Sequence, residues 1–143
     1  MSAQCSIQSS DPVLLDKAIW VAREFAHQYQ KEEIAGIDFL GVIVRGYFDV
    51  SADIDIVLFK KQGADISLPD MHSMVEGLEI HCHLADYEEE LATPWDMAKR
   101  WTFTQGQVHY GPQGRISKML GEKVPLKPEE RKWLLMSGLP LSE

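Results

Sequence analysis

Apolar and polar positions recur along this chain with two different periods, and the periods divide it into elements. Val13, Leu14, Ala18, Val21, Ala22, Phe25 and Tyr29 fall at helical spacing. Asp11-Pro12 supplies the start signal, aspartate as cap and proline in the first turn. A helix is therefore predicted over residues 12–31, its apolar stripe facing a core. After Gly36 the pattern tightens into two short apolar runs, residues 37–40 and 54–59, which read as strands on either side of a turn-rich segment. Asp53 and Asp55 open the second strand, residues 53–60. Alternation along a strand points both carboxylates to one side. Between the runs, residues 42–48 read as a short helix entered directly from the strand, with its first backbone N–H groups free to bind an anion.

A hairpin follows the loop that runs to Pro69. Its strands are residues 71–75 and 78–84, turned at Glu76-Gly77. In the returning strand Glu79, His81 and His83 alternate with Leu78, Ile80, Cys82 and Leu84, so one face is ionisable and the other apolar. Residues 88–90 form an acidic run that reads as a solvated face. Thr93-Pro94 starts another helix over residues 94–105, with Trp95, Met97, Ala98, Trp101 and Phe103. A short extended stretch at 108–110, a turn at 111–114 and a helix over 115–120 ending at Gly121 come next. A linker at 125–128 leads to a last amphipathic helix, 128–137, with Trp133 as a buried packing residue. The chain divides into a polar tail (1–10), one domain (11–124) and a C-terminal helical extension (125–143). The fold class is α/β in the broad sense (α+β): a small mixed sheet with flanking helices.

Composition narrows the partners. A chain of 143 residues with 45% hydrophobic and 25% charged content suits one domain with a real core. Its net charge of −8 argues against a long nucleic acid, which needs a basic footprint, but not against a nucleotide held by a metal and a few donors. Cys5 and Cys82 make no disulfide framework, which favours a reducing, cytoplasmic setting. No apolar run reaches the length of a membrane span, and the N-terminus carries no signal-peptide pattern.

Two carboxylates held as close as Asp53 and Asp55 repel unless a cation lies between them. Mg²⁺ is the simplest, since it takes oxygen ligands and shares them with substrate phosphates. The surrounding residues sharpen this. Gly41, Arg45, Gly46, Asp53 and Asp55 stand without insertion or deletion in a pattern that resembles the DNA polymerase beta-like nucleotidyltransferase superfamily. That pattern is an apolar strand, Gly-Ser, a short helix with Arg-Gly, a loop, and Ser-Asp-x-Asp opening the next strand. The minimal and kanamycin-type members are the most similar, and the likeness spans roughly residues 37–120, including the later TPWDMAKRWTFTQGQVHYGPQGRISKML.

The resemblance implies a nucleotidyltransferase-type core that transfers a nucleoside monophosphate from an NTP, ATP first among them, to a hydroxyl acceptor. It implies Mg²⁺, or Mn²⁺, on Asp53 and Asp55, phosphates cradled by Gly41, Val42 and Arg45, and a third carboxylate on the 78–84 strand. Three positions depart from it. Val42 and Ala52 replace serines, and His81 stands where the family carries aspartate, with Glu79 two residues earlier on the same face. His81 reads either as part of a polar strand face or as a metal ligand with Asp53 and Asp55, in which case nitrogen ligation favours Mn²⁺ or Zn²⁺. Arg45 reads either as a phosphate ligand or as a structural partner of a carboxylate. The function classes are accordingly an active transferase with Asp53, Asp55, Glu79 and His81 in its catalytic set, a nucleotide- or partner-binding module of the same fold with degraded chemistry, and a metal-dependent hydrolase using Asp53, Asp55 and His81. A second copy of the chain or a helical partner protein is the expected source of any missing acceptor site.

Overall fold

The computed structural model describes residues 11–41, 43–44, 46, 48–49, 51–66 and 72–136, the side chains of Leu134 and Leu135 aside. Its elements are α1 (Pro12–His27), β1 (Ile34–Leu40), β2 (Ile54–Lys60), β3 (His72–Val75), β4 (Leu78–Asp86), α2 (Tyr87–Ala92), α3 (Met97–Thr104), β5 (Gln107–Tyr110), a 3₁₀ turn (Pro112–Gly114), α4 (Arg115–Lys123) and α5 (Pro128–Met136). The strands form one mixed sheet in the order β3-β4-β2-β1-β5. β2 and β4 run parallel, and the other neighbours are antiparallel.

The sheet is covered on both faces. On one, Ala18, Val21, Ala22 and Ala26 of α1 pack with Ile37, Phe39, Ile54, Ile56, Leu58 and Ile80. On the other, Trp95, Ile116 and Met119 pack with Leu40, Val57 and Phe59. Alternation along β2 places Asp53 and Asp55 on this second face, away from α1.

Asp11 caps α1 as the sequence indicates, its Oδ1 accepting from the N–H groups of Val13 and Leu14 at 3.0 and 3.2 Å. The helix stops at His27, not at residue 31, because Tyr29 turns back to bond Ala26 O at 2.9 Å. Val13, counted in the apolar stripe, is exposed, and so is Trp133 on α5. The hairpin has the expected turn: Glu76 and Gly77 have φ of 54° and 80°, both in the left-handed region that a two-residue hairpin turn uses. The acidic run is more than a solvated face. It forms α2, capped by Asp86. Glu88 Oε1 accepts from Gln62 N at 2.8 Å, and Glu90 pairs with Lys99. α3 begins at Met97 under an Asp96 cap, and Pro94 stays outside it. α4 passes through Gly121 and ends two residues later. The short helix expected over 42–48 rests on Val42, Arg45 and Tyr47, which lie outside the described residues. Ile43, Val44 and Gly46 form a turn, with Gly46 N bonded to Ile43 O at 3.2 Å.

β1 starts three residues before its predicted start. Gly36, taken as the boundary, lies inside the strand at a register shift against β2. It is required there by close packing: a Cβ at Gly36 would come within 2.0 Å of Ile116 Cγ1 and 3.0 Å of Tyr110 O. Gly36→Ala is expected to push α4 off the sheet at a cost of about 1–3 kcal/mol, the usual range for overpacking. Chemical denaturation of wild type and variant measures this, and an unchanged midpoint would show that α4 yields freely.

Candidate active site at the head of β2

The parallel register of β2 and β4 builds the site. Asp55 lies beside His81, and Ile54 beside Ile80. The ionisable face of β4 therefore lines up with the Asp-x-Asp of β2. Ligand atoms of Asp53, Asp55 and His81 all fall within 4.8 Å of one another. His81 Nε2 is 2.7 Å from Glu79 Oε2 and 3.5 Å from Asp53 Oδ2, and its Nδ1 is 3.8 Å from Asp55 Oδ1. The imidazole thus lies among three carboxylates.

Charge follows from that placement. The hydrogen bond to Glu79, reinforced by Asp53 and Asp55, raises the His81 pKa against its partial burial and favours the imidazolium. The same hydrogen bond holds the Glu79 carboxyl below its usual range. Burial, and then the neighbouring Asp53, push Asp55 up, while His81 and His83 pull it down.

Gly41 follows β1 directly with φ of 79°, a conformation that favours glycine. A Cβ there would meet Asp55 Oδ2 at 3.0 Å, so the turn passes close over the carboxylate. Val42 and Arg45, the other two candidate phosphate ligands, lie outside the described residues. Ala52 is half-buried and packs against the α1-side core.

The donor set bears on which cation fits. Asp53 and Asp55 supply hard oxygen atoms suited to Mg²⁺ or Mn²⁺ shared with a triphosphate. His81 brings nitrogen to the third position, a donor that Mn²⁺ or Zn²⁺ accepts more readily than Mg²⁺.

Sequence reasoning missed the wall facing Asp55. A cavity of about 320 Å³ is lined by Leu40, Gly41, Asp55, His83, Trp101, Thr102 and Gln105. A second, of about 250 Å³, shares Leu40, His83 and Thr102 with it and reaches Glu90, Lys99 and Phe103. The signal was present in and just after α3: the polar Thr102 and Gln105 stand among the aromatic Trp101 and Phe103, whereas the helix reads as a packing element when only its apolar positions are followed.

The same topology occurs in a solved structure, a nucleotidyltransferase-like protein from Exiguobacterium sibiricum 255-15. It matches with a TM-score of 0.54 at 13% identity, over 82% of this chain and 41% of that one. This chain has a nucleotidyltransferase-type fold. At that identity the likeness is one of fold, and the chain spans less than half of its structural neighbour. No protein-family model matches the chain, and no curated protein does. Among the described residues, no helix is long and apolar enough to cross a membrane.

Proposed function

We propose that this nucleotidyltransferase-type domain transfers a nucleoside monophosphate from an NTP, ATP in the first instance, to a hydroxyl on a small acceptor. The observation that carries the reading is the β2–β4 register, which sets Asp53, Asp55 and His81 around one point beside the Gly41 turn.

Asp53 and Asp55 would hold Mg²⁺ or Mn²⁺. When bound, such an ion neutralises charge on the triphosphate and on the attacking oxygen. The chain's own residues do the rest. Gly41 lets the backbone come close to the phosphates beside Asp55. His81 positions the two aspartates and offsets their repulsion. The cavity walled by His83, Trp101, Thr102 and Gln105 opens next to Asp55 and has the polar and aromatic lining that would orient an acceptor hydroxyl. The net charge of −8 fits a small acceptor better than a long nucleic acid. A cytoplasmic setting accords with Cys82 as a buried free thiol, its pKa pushed up to about 12 by burial.

Incubation with α-labelled ATP, Mg²⁺ or Mn²⁺ and a panel of hydroxyl compounds and proteins tests the proposal. Transfer by wild type that is absent from Asp53→Asn supports it. Equal labelling by both removes Asp53 from the machinery.

A second reading has one specific observation behind it. His81 already places an imidazole among Asp53, Asp55 and Glu79, which suits a module that binds nucleotide without turning it over. Calorimetry with ATP separates the readings: saturable binding without transfer favours the module.

A further inference from the structure

The β3–β4 hairpin carries a second constellation, which shares His81 with the Asp53–Asp55 cluster and adds His72 and Glu79. Antiparallel register pairs His72 directly with His81, and the two rings lie 4.2 Å apart between centroids. Glu79 precedes His81 by two residues and so shares its face. Its Oε2 lies 2.7 Å from His81 Nε2 and 3.7 Å from His72 Nδ1. One ligand atom from each of the three residues lies within 4.8 Å of the other two.

We propose that His72, Glu79 and His81 form a distinct cation site that takes a borderline divalent transition metal, Zn²⁺ by preference, next to the Asp53–Asp55 pair. Zn²⁺ bonds of about 2.0–2.2 Å to nitrogen and oxygen set neighbouring ligand atoms roughly 3.3 Å apart. The observed 2.7 and 3.7 Å from Glu79 Oε2 to the two rings lie on either side of that value. Two imidazoles and one carboxylate suit Zn²⁺, Co²⁺ or Ni²⁺ and do not suit Mg²⁺, which demands oxygen. Three protein ligands leave a fourth position open, the mark of a site that exchanges water or ligand and not of a closed structural one. Access is direct: the side chains of His72 and Glu79 are 61% and 48% exposed.

His81 links the two groups. Its Nε2 faces Glu79 at 2.7 Å and Asp53 at 3.5 Å, while its Nδ1 faces Asp55. A metal on the hairpin takes Nε2 beside Asp53 and leaves Nδ1 facing Asp55. The hairpin site stands whether or not the chain transfers nucleotides.

The test is titration of the metal-free 143-residue chain with Co²⁺, read by its visible d–d absorption, and with Zn²⁺, read by calorimetry. Wild type is compared with His72→Ala, Glu79→Gln and Asp55→Asn, and far-UV circular dichroism verifies that each variant is folded. Wild type is expected to bind one equivalent. His72→Ala and Glu79→Gln should each weaken it by about tenfold or more, as loss of a direct ligand does, with Asp55→Asn within about threefold of wild type. Millimolar Mg²⁺ should not displace the bound Co²⁺. The proposal is overturned by absence of binding to wild type, by His72→Ala binding as wild type does, by Asp55→Asn losing as much as His72→Ala, or by displacement with Mg²⁺.

Discussion

Asp55→Asn is expected to lower nucleotide transfer by more than about a hundredfold, since even a residue that only supports a metal ligand costs about 10–100-fold. Asp55 lies where three features of the site meet. It is the one carboxylate of the site that also lines the cavity beside α3, it is approached by the Gly41 turn, and it pairs in register with His81. Asparagine keeps the shape and one oxygen but removes the charge, so the fold survives and the cation is lost. The loss should appear with both Mg²⁺ and Mn²⁺, in kcat more than in KM for ATP, because the interaction strengthens as charge develops in the transition state. His81→Asp provides the complementary arm. It puts oxygen in place of nitrogen at the third position, so it should shift the preference from Mn²⁺ towards Mg²⁺. Asp55→Asn with wild-type kcat, or His81→Asp with an unchanged metal preference, would detach the chemistry from this cluster.

The parts of the fold legible in the sequence are those written in local patterns. The Asp11-Pro12 cap, the Glu76-Gly77 turn and the alternation of Glu79, His81 and His83 each depend on neighbours within a few residues, and each stands in the structure. The nearness of His81 to Asp53 and Asp55 was also accessible, because the family resemblance of the stretch from Gly41 to Asp55 implies a further site residue on the 78–84 strand. What escaped depends on distant contacts. Gly36 reads as a break, yet it is a strand residue whose missing side chain makes room for Ile116, eighty positions downstream. His72 gains significance only from the strand register that sets it against His81. Trp101, Thr102 and Gln105 face Asp55 because α3 folds back over the sheet, which periodicity does not reveal. Asp38 is the clearest miss, a polar residue in the middle of the apolar run IDFL.

Asp38 is expected to make the protein less stable as pH rises from about 4 to 7. It is fully buried on β1, between Val57 and Val108 of the adjoining strands. Among the described residues neither carboxyl oxygen has a hydrogen-bond partner. Gly106 packs against it so closely that a Cβ there would come within 2.5 Å of Oδ2. Burial alone pushes its pKa from 3.8 to about 7. The sign follows from proton counting. Between the unfolded and folded pKa values the native state holds a proton that the unfolded chain has released, so stability falls with rising pH by about 1.4 kcal/mol per unit. The favourable contribution is complete below about pH 4 and is lost once pH passes about 7, with an upper limit of about 4 kcal/mol for the whole interval. Other carboxylates also titrate in this range, so the measurement is a difference. Urea unfolding of wild type and Asp38→Asn at pH 5 and pH 8 should show the variant gaining on wild type by more than about 2 kcal/mol across that interval, because the carboxamide cannot ionise. Parallel pH dependences in the two proteins would mean that Asp38 carries its charge at no cost, and that a compensating group reaches it in solution.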